Sequence, residues 1–570
     1  MKNVSTQPRL LTHVQQKEKE AKQRPLSFAV IRRLLGYTRP YAFRRNTLIV
    51  LALVRSVQLP GLAWALAAVL NGPVLAKDWN GTLWGALGFF LLALSTAVVF
   101  HFRMKLALEL GEDVIHDLRA EIFAHLQSMS MRFYDSTKLG RIISRVTSDA
   151  ENVRMGVQSV LFITLVQLGA MVVAAGIMLY YDPPLFFVVL AMAPVLWWVS
   201  RFFRNRLSAA YRATQESFSR VTATLAESVN GIRVTQGFVR QDTNAKLFGE
   251  LVDDHASYHV RSSKLQAVFL PFLELNSQVF MAVLLALGGA QVLLGVFFAE
   301  YAAVSPLDRF ESLVVFALLM PQFFNPIATI GRQYNDALTA MAGAERVFGL
   351  LDTEPERLDA DDAIDLPKIE GRVEIDNITF GYLPNKPVLH GISLTAEPGQ
   401  TVALVGETGS GKTSIINLIA RFYDPAEGSI RWNGHDLKSI PVSALRSKMA
   451  LVTQDPTLFS DTVKANIWRH DNHPSEKEIE VVLKASNCAS LVARLPQGID
   501  TPLTGGGSTL SSGERQLLSI ARAFASHPQL IILDEATSYI DSRTEKEIQD
   551  ALTALLKGRT AIVVAHRLST

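Results

Sequence analysis

The sequence predicts two fold classes in one chain: an all-α membrane half with six transmembrane helices, then an α/β half built around a phosphate-binding loop. Three observations carry this reading. Six long apolar runs alternate with basic stretches up to about residue 332. From residue 371 onward, short β-rich runs alternate with helical stretches, the pattern of a mostly parallel sheet covered by helices. Between one such strand and a helix lies Gly406-Glu407-Thr408-Gly409-Ser410-Gly411-Lys412-Thr413, which fits G-x-x-x-x-G-K-S/T. Composition agrees, because only 19% of the 570 residues are charged and 49% are hydrophobic, against about a quarter charged in a soluble domain. Disordered, collagen-like and nucleic-acid-binding tail proteins are excluded. The net charge of +3 names no partner by itself. The single cysteine, Cys488, rules out an intrachain disulfide and a cysteine-cluster metal site and fits a reducing compartment.

The chain divides into a flexible cytoplasmic N-terminus (1–24), a membrane domain (25–345), a linker (346–370) and the α/β domain (371–570). Residues 1–24 are polar, with Lys17, Glu18, Lys19, Glu20, Lys22 and Arg24 close together and no early apolar core, so they do not read as a signal peptide. Residues 26–45 mix Phe28, Ile31, Leu34, Leu35 and Tyr37 with five arginines. They read as an interfacial helix on the inner leaflet or as an ordinary basic flank.

The six spans run over residues 46–70, 83–102, 155–181, 184–200, 272–298 and 312–331. A membrane helix needs about 20 apolar residues. The third and fifth pass comfortably, whereas the fourth is short. The stretches after spans two and four are long and arginine-rich, and the opposite loops hold only Lys77 and Arg309. The positive-inside rule puts the long loops and both termini in the cytoplasm of a multi-pass protein of the inner membrane. Apolar residues recur three and four apart in these long loops, so the helices continue beyond the bilayer. Residues 352–369 are polar, acidic and proline-punctuated, as a linker is. Strands are expected at 372–378, 400–405, 449–452, 530–533 and 560–564.

The phosphate loop follows the strand ending at Val405 and opens a helix over 414–421. Its glycines let backbone N–H groups wrap phosphate oxygens, and the helix dipole favours the anion. Lys412 should reach the β- and γ-phosphates and Thr413 should bind Mg²⁺. A second piece, Leu530-Ile531-Ile532-Leu533-Asp534-Glu535, is a buried strand delivering two carboxylates at its carboxyl end. Asp534 would hold the Mg²⁺ shell and Glu535 would orient the attacking water.

With these pieces in order, the α/β half resembles the nucleotide-binding domain of ATP-binding cassette (ABC) proteins. Leu510-Ser511-Ser512-Gly513-Glu514-Arg515-Gln516 is similar to the family signature LSGGQ-x-Q. The resemblance implies a helical subdomain, ATP and Mg²⁺ as ligands, and two such domains closing head to tail. The nucleotide would then be held by Gly406, Glu407, Thr408, Gly409, Ser410, Gly411, Lys412, Thr413 and Ser414, with Tyr382 stacking on adenine. Ser511 and Gly513 would cap the nucleotide of the opposing subunit, and Asp541 would contact that subunit. Gln454 would sense the metal together with Thr413 and Asp534, and His566 would contact the γ-phosphate beside Glu535. The membrane half resembles the same family. Phe133-Tyr134-Asp135 with Gly140, Ser144-Arg145 and Asp149 looks like the first intracellular loop of ABC exporters, and Glu227-Ser228-Val229-Asn230-Gly231-Ile232-Arg233-Val234 like the second. In the family both loops hold short coupling helices that press on nucleotide-binding domains.

The resemblance covers about residues 25–570 and implies an exporter half-transporter that works as a dimer in the lipid bilayer. ATP hydrolysis would drive export or flipping of an amphipathic drug, lipid or lipid-linked compound. Three departures stand out. Ser512 and Glu514 replace the family's usual glycine and glutamine; a hydroxymethyl group crowds the approach to phosphate and a carboxylate repels it. Gly505, in Thr501-Pro502-Leu503-Thr504-Gly505-Gly506-Gly507, replaces a glutamate of the family. The sequence stops at Thr570, where the family usually continues with a strand and a helix, so it reads as truncated. An intact Glu535 beside an altered signature leaves a homodimer and a heterodimer both open. Arg55 and Gln58 in the first span, and Glu274, Asn276 and Gln278 in the fifth, are candidates for a substrate cavity. Arg55 pairing with Glu274, and the amides acting as interhelical glue, stand beside that reading. Phe323, Phe324 and Asn325 would line the pathway or pack a kinked helix. A soluble chromosome-type ATPase fails on the six spans. The competing function is a low-turnover ATP-gated channel or regulatory membrane ATPase.

Overall fold

Long helices dominate the first unit of the computed structural model, which describes residues 27–294, 306–355, 371–383, 386–407, 409–469, 474–534 and 542–564. In chain order the helices up to residue 351 are α1 (Phe28–Tyr37), α2 (Ala42–Val69), α3 (Trp79–Gln127), α4 (Met131–Ser136), α5 (Leu139–Ser144), α6 (Ala150–Met155), α7 (Leu161–Tyr181), α8 (Pro183–Asn230), α9 (Ile232–Gly237), α10 (Gln241–Leu294) and α11 (Pro306–Leu351). Two π-helical turns, Arg145–Asp149 and Gly156–Val160, join α5, α6 and α7. Among the described residues, four rods are long and apolar enough to cross a membrane: Ala42–Val74, Trp79–Gln127, Leu139–Tyr181 and Phe310–Leu351. They match spans one, two, three and six. The fourth span lies inside α8, which runs far past residue 200 and starts where Asp182 accepts a hydrogen bond from the Leu185 amide (2.9 Å). The fifth lies in α10, whose apolar stretch Gln278–Ala290 is described; residues 295–298 lie outside the described residues.

Residues 26–45 are not one helix. The chain breaks at 38–41, around Pro40, and the second half joins the first span. Proline removes a helical N–H and clashes with the preceding turn. The break lets α1 fold against two helices. Along α3, Tyr37 donates to Glu121 (2.7 Å), Tyr41 donates to Asp117 (2.9 Å) and Arg44 pairs with Asp113. At the end of α11, Arg33 pairs with Asp352 (2.7 Å) and lies over Phe348. Buried Asp149 takes three hydrogen bonds from Arg346, tying the segment after the second span to α11.

The second unit comprises residues 125–142 and 353–570. Its described strands are β1 (Val373–Phe380), β2 (Leu389–Ala396), β3 (Thr401–Leu404), β4 (Glu427–Trp432), β5 (His435–Asp436), β6 (Met449–Val452), β7 (Leu530–Asp534) and β8 (Thr560–Val564). Its further helices are α12 (Lys412–Ile419), α13 (Val442–Ser447), α14 (Val463–Ile467), α15 (Glu476–Ala485), α16 (Ala489–Arg494), α17 (Ser512–Ala525) and α18 (Ser542–Leu556). The expected mostly parallel sheet is only half of the β structure. One four-stranded sheet is parallel, in the order β3-β8-β7-β6; the other, β2-β1-β4-β5, is antiparallel. Apolar residues of α12, Ile415, Ile416, Leu418 and Ile419, share one core with Phe380, Trp432, Ile532 and Ile562 from both sheets. A second core packs α14–α18 on the other side of the parallel sheet.

Candidate functional site

The loop after β3 is shaped by glycine. Gly409 and Gly411 have φ of +89° and +94°, the left-handed region that side chains disfavour. A Cβ at Gly411 would stand 2.6 Å from Leu389 Cδ2, so this turn also needs the missing side chain for packing. The helix that follows is α12, beginning at Lys412, two residues earlier than expected. The Lys412 ammonium lies back across the loop and donates to the carbonyls of Gly406 (2.7 Å) and Glu407 (2.9 Å). It is buried, whereas Thr413 is exposed and Ser414 buried. Tyr382 donates its hydroxyl to Ser414 Oγ (3.1 Å) and accepts from Asn417 Nδ2 (3.2 Å), which fixes this partly exposed ring against the loop's helix. Thr408 lies outside the described residues.

Parallel strands put their carboxyl ends, and the loops beyond them, at one edge of a sheet. In the order β3-β8-β7-β6 that edge gathers the phosphate loop after β3, Asp534 at the end of β7 and Gln454 two residues past β6. Glu535, Asp541 and His566 lie outside the described residues. Among the described residues no three His, Cys, Asp or Glu side chains group to hold a metal. The donors present are the Thr413 hydroxyl, the Asp534 carboxylate and the Gln454 amide. They are hard oxygens with one carboxylate, the set that suits Mg²⁺ sharing phosphate oxygens of a nucleotide.

Ser511 is the N-cap of α17. Its hydroxyl oxygen accepts from the Glu514 amide (3.2 Å), and Glu514 accepts from the Ser511 amide (2.9 Å), a complete capping box. The Glu514 carboxylate therefore faces the start of its own helix. That carboxylate is spent on the cap and on Arg494 (3.1 Å), and it leaves the Ser511 hydroxyl proton free to donate. Ser512 and Gly513 open the helix, where backbone N–H groups have no intrahelical acceptor. Ser512 is exposed and Gly513 buried. Gly505, Gly506 and Gly507 all have positive φ, +55°, +69° and +74°. A glutamate at 505 would be strained in this backbone.

Sequence reasoning missed one pair that ties these parts together. Fully buried Asn466 accepts from the Phe459 amide (2.8 Å) and donates to the Phe459 and Thr462 carbonyls. Arg522, on α17, donates to the Asn466 carbonyl (2.8 Å) and the Thr457 carbonyl (3.1 Å). Burial, then the neighbouring Arg469, pulls this guanidinium below its ordinary pKa. The segment following Gln454 is thus bolted to the helix that carries Ser511. The only sequence signal was two polar residues within apolar stretches.

The segment between the second and third spans bears on the same site. On α4, Asp135 accepts from the hydroxyl of Tyr423. The Tyr423 ring packs against Phe380 and edge-on against Tyr382. Burial and the Asp135 acceptor hold its phenol above the ordinary value, so it remains a donor. The second segment spans the end of α8 and α9, with Gly231 at the break. Its Val229, Val234, Phe238 and Val239 are exposed.

The family model of the ABC transporter transmembrane region matches residues 47–327, and that of the ABC transporter matches residues 389–538. The uncharacterized ABC transporter ATP-binding protein YknV of Bacillus subtilis is 32% identical, over 96% of this chain and 89% of its own. The chain belongs to the ABC transporter family. An ATP-dependent lipid A-core flippase of Syntrophus aciditrophicus is also 32% identical, over 95% of this chain and 88% of its own. A putative multidrug export ATP-binding/permease protein of Staphylococcus aureus is 31% identical, over 95% and 93%. This ABC transporter is membrane-embedded, binds ATP and hydrolyses it to drive transport in an exporter architecture.

Proposed function

We propose that this transporter is one half of a dimeric exporter that moves an amphipathic drug, lipid or lipid-linked compound out of the cytoplasmic leaflet. The observation that carries the reading is the common edge of β3, β7 and β6, which gathers the phosphate loop, Asp534 and Gln454 in a chain that also holds the membrane helices. Relatives named as a lipid A-core flippase and as multidrug exporters support an amphipathic cargo over a channel or regulatory ATPase. The division into 1–24, 25–345, 346–370 and 371–570 goes with this reading, as does an inner-membrane location with both termini cytoplasmic.

In the cycle, Tyr382 stacks on adenine, and the loop 406–411 with Lys412 and Ser414 holds the phosphates. Thr413, Asp534 and Gln454 would hold Mg²⁺, which neutralises charge on the phosphates when bound. Lys412 exchanges its two loop carbonyls for phosphate oxygens. Glu535 orients the attacking water and His566 contacts the γ-phosphate. Ser511 and Gly513 cap the nucleotide of the second half-transporter, and Asp541 contacts that subunit. A free hydroxyl proton on Ser511 and an open first turn of α17 support this capping role. The exposed apolar residues of the second intracellular segment support docking on a nucleotide-binding domain.

ATP turnover of the full chain in lipid, with and without a candidate partner half-transporter, tests the reading. Glu535→Gln should lower turnover at least about a hundredfold while ATP binding persists. Activity of the chain alone identifies a homodimer, and activity only with the partner identifies a heterodimer. Transport of an amphiphile that continues unchanged in Glu535→Gln with ATP bound would overturn the exporter in favour of a channel.

A further inference from the structure

Arg55 on α2 and Arg103 on α3 place two guanidinium groups against one ring, Phe100, at 4.5 Å and 5.4 Å from its centroid. Arg103 is 6% exposed, and its Nε has no hydrogen-bond partner. Among the described residues Arg103 makes no hydrogen bond or ion pair at all. Arg55 has one acceptor, the Thr96 carbonyl (2.9 Å). The next carboxylate along α3, Glu109, is six residues on and beside Lys105 (3.9 Å). The carboxyl that sequence reasoning paired with Arg55, Glu274, has no described side chain, and Arg55 turns to α3.

Two like charges against one ring, one of them buried without a hydrogen bond, are unfavourable unless an anion completes them. The phenyl face offsets only part of this. Depth identifies the anion. Arg103 stands one residue past the apolar stretch 83–102, at the end read as cytoplasmic. Arg55 enters the membrane about 14 Å beyond Asn46 at helical rise, and its side chain reaches the level of Phe100 on the facing helix. A guanidinium fork suits phosphate oxygens, and basic pockets between membrane helices on the cytoplasmic side suit lipid headgroups. We infer that the cluster of Arg55, Phe100 and Arg103 between α2 and α3 binds the phosphate headgroup of an amphiphile in the cytoplasmic leaflet. The site stands apart from the transport reading, because lipid retention is measured without ATP.

The test uses the full chain in nanodiscs of phosphatidylcholine carrying increasing phosphatidylglycerol, with retained lipid counted by native mass spectrometry. The wild type should retain phosphatidylglycerol in preference. Arg55→Gln/Arg103→Gln should lose that preference by about tenfold or more, the worth of hydrogen bonds to a charged group. Arg103→Lys, which keeps the charge without the fork, should be intermediate, and Lys105→Gln on the exposed face of the same helix should match the wild type. A headgroup that stays bound in ATP-vanadate-trapped protein is a resident lipid; one released there is cargo. Both outcomes hold the site. Equal retention by wild type and the double glutamine variant overturns it. Equal retention together with weaker self-association would assign the arginines to a carboxylate of the second protomer instead.

Discussion

Ser511 does two things with one hydroxyl. Its oxygen caps α17 while its proton stays free, and Glu514 closes the box from the other side. A glutamine could close the same box, so the carboxylate is not needed for the helix. Ser511→Ala should lower the stability of the ATPase domain by about 1 kcal/mol and reduce ATP turnover. Glu514→Gln should change stability by less than about 0.5 kcal/mol, because the pair it gives up with Arg494 is exposed. Chemical denaturation of both variants, read by domain fluorescence, decides this; a loss for Glu514→Gln as large as for Ser511→Ala would show that the Arg494 pair carries the helix. At this scale much of the site was legible. The glycines and Lys412 follow from local backbone demands, which act over a few residues. Asn466 and Arg522 were not legible, since 56 residues separate them and their pairing exists only once α14 and α17 pack.

At the scale of elements, α4 accepts a hydrogen bond at Asp135 from Tyr423, next to the ring proposed to stack on adenine. Tyr423→Phe keeps the packing and removes the donor. It should cost about 0.5–1.5 kcal/mol locally, leave ATP affinity unchanged and lower the substrate moved per ATP hydrolysed. Parallel transport and hydrolysis measurements in proteoliposomes check this, and an unchanged ratio would show that the bond is structural only. The strands show why some elements read clearly and others did not. β7 carries four consecutive buried apolar residues, Leu530–Leu533 in sequence, and is paired on both sides. β4 has only Ile430 and Trp432 buried, and its Gly428 (φ +81°) faces the Asp376 and Asn377 carbonyls of β1 at 2.5 Å from a Cβ that is not there. β2 is interrupted by Gly391 and two register shifts. Such strands take their register from a neighbour, so alternation along the sequence does not announce them.

For the whole molecule, the single cysteine offers a probe. Cys488 is buried in the helical core of the ATPase domain, and burial pushes its thiol from 9.0 up to about 12. In that window the folded domain keeps a proton that the unfolded chain has released. Stability therefore falls as pH rises from about 9 toward 12, and the thiol contributes no pH slope below it. Denaturation curves at pH 8 and 10 should show a steeper decline for the wild type than for Cys488→Ala; equal slopes would mean the thiol is hydrated in the fold. At pH 8 a maleimide should label Cys488 only as fast as the domain opens.

The sequence by itself determined the two classes, the spans, the phosphate loop and the family, because hydropathy runs and tight-turn chemistry are local or depend on the order of motifs. Only the tertiary structure decided that half of the β structure is antiparallel, that residues 26–45 break around Pro40 and fold onto α3 and α11, that Glu514 is a cap, and that Arg55 turns to Thr96 and Phe100. Each of these rests on which distant residues meet. That is set by packing and by satisfying buried polar groups, and a single chain read in order does not record it.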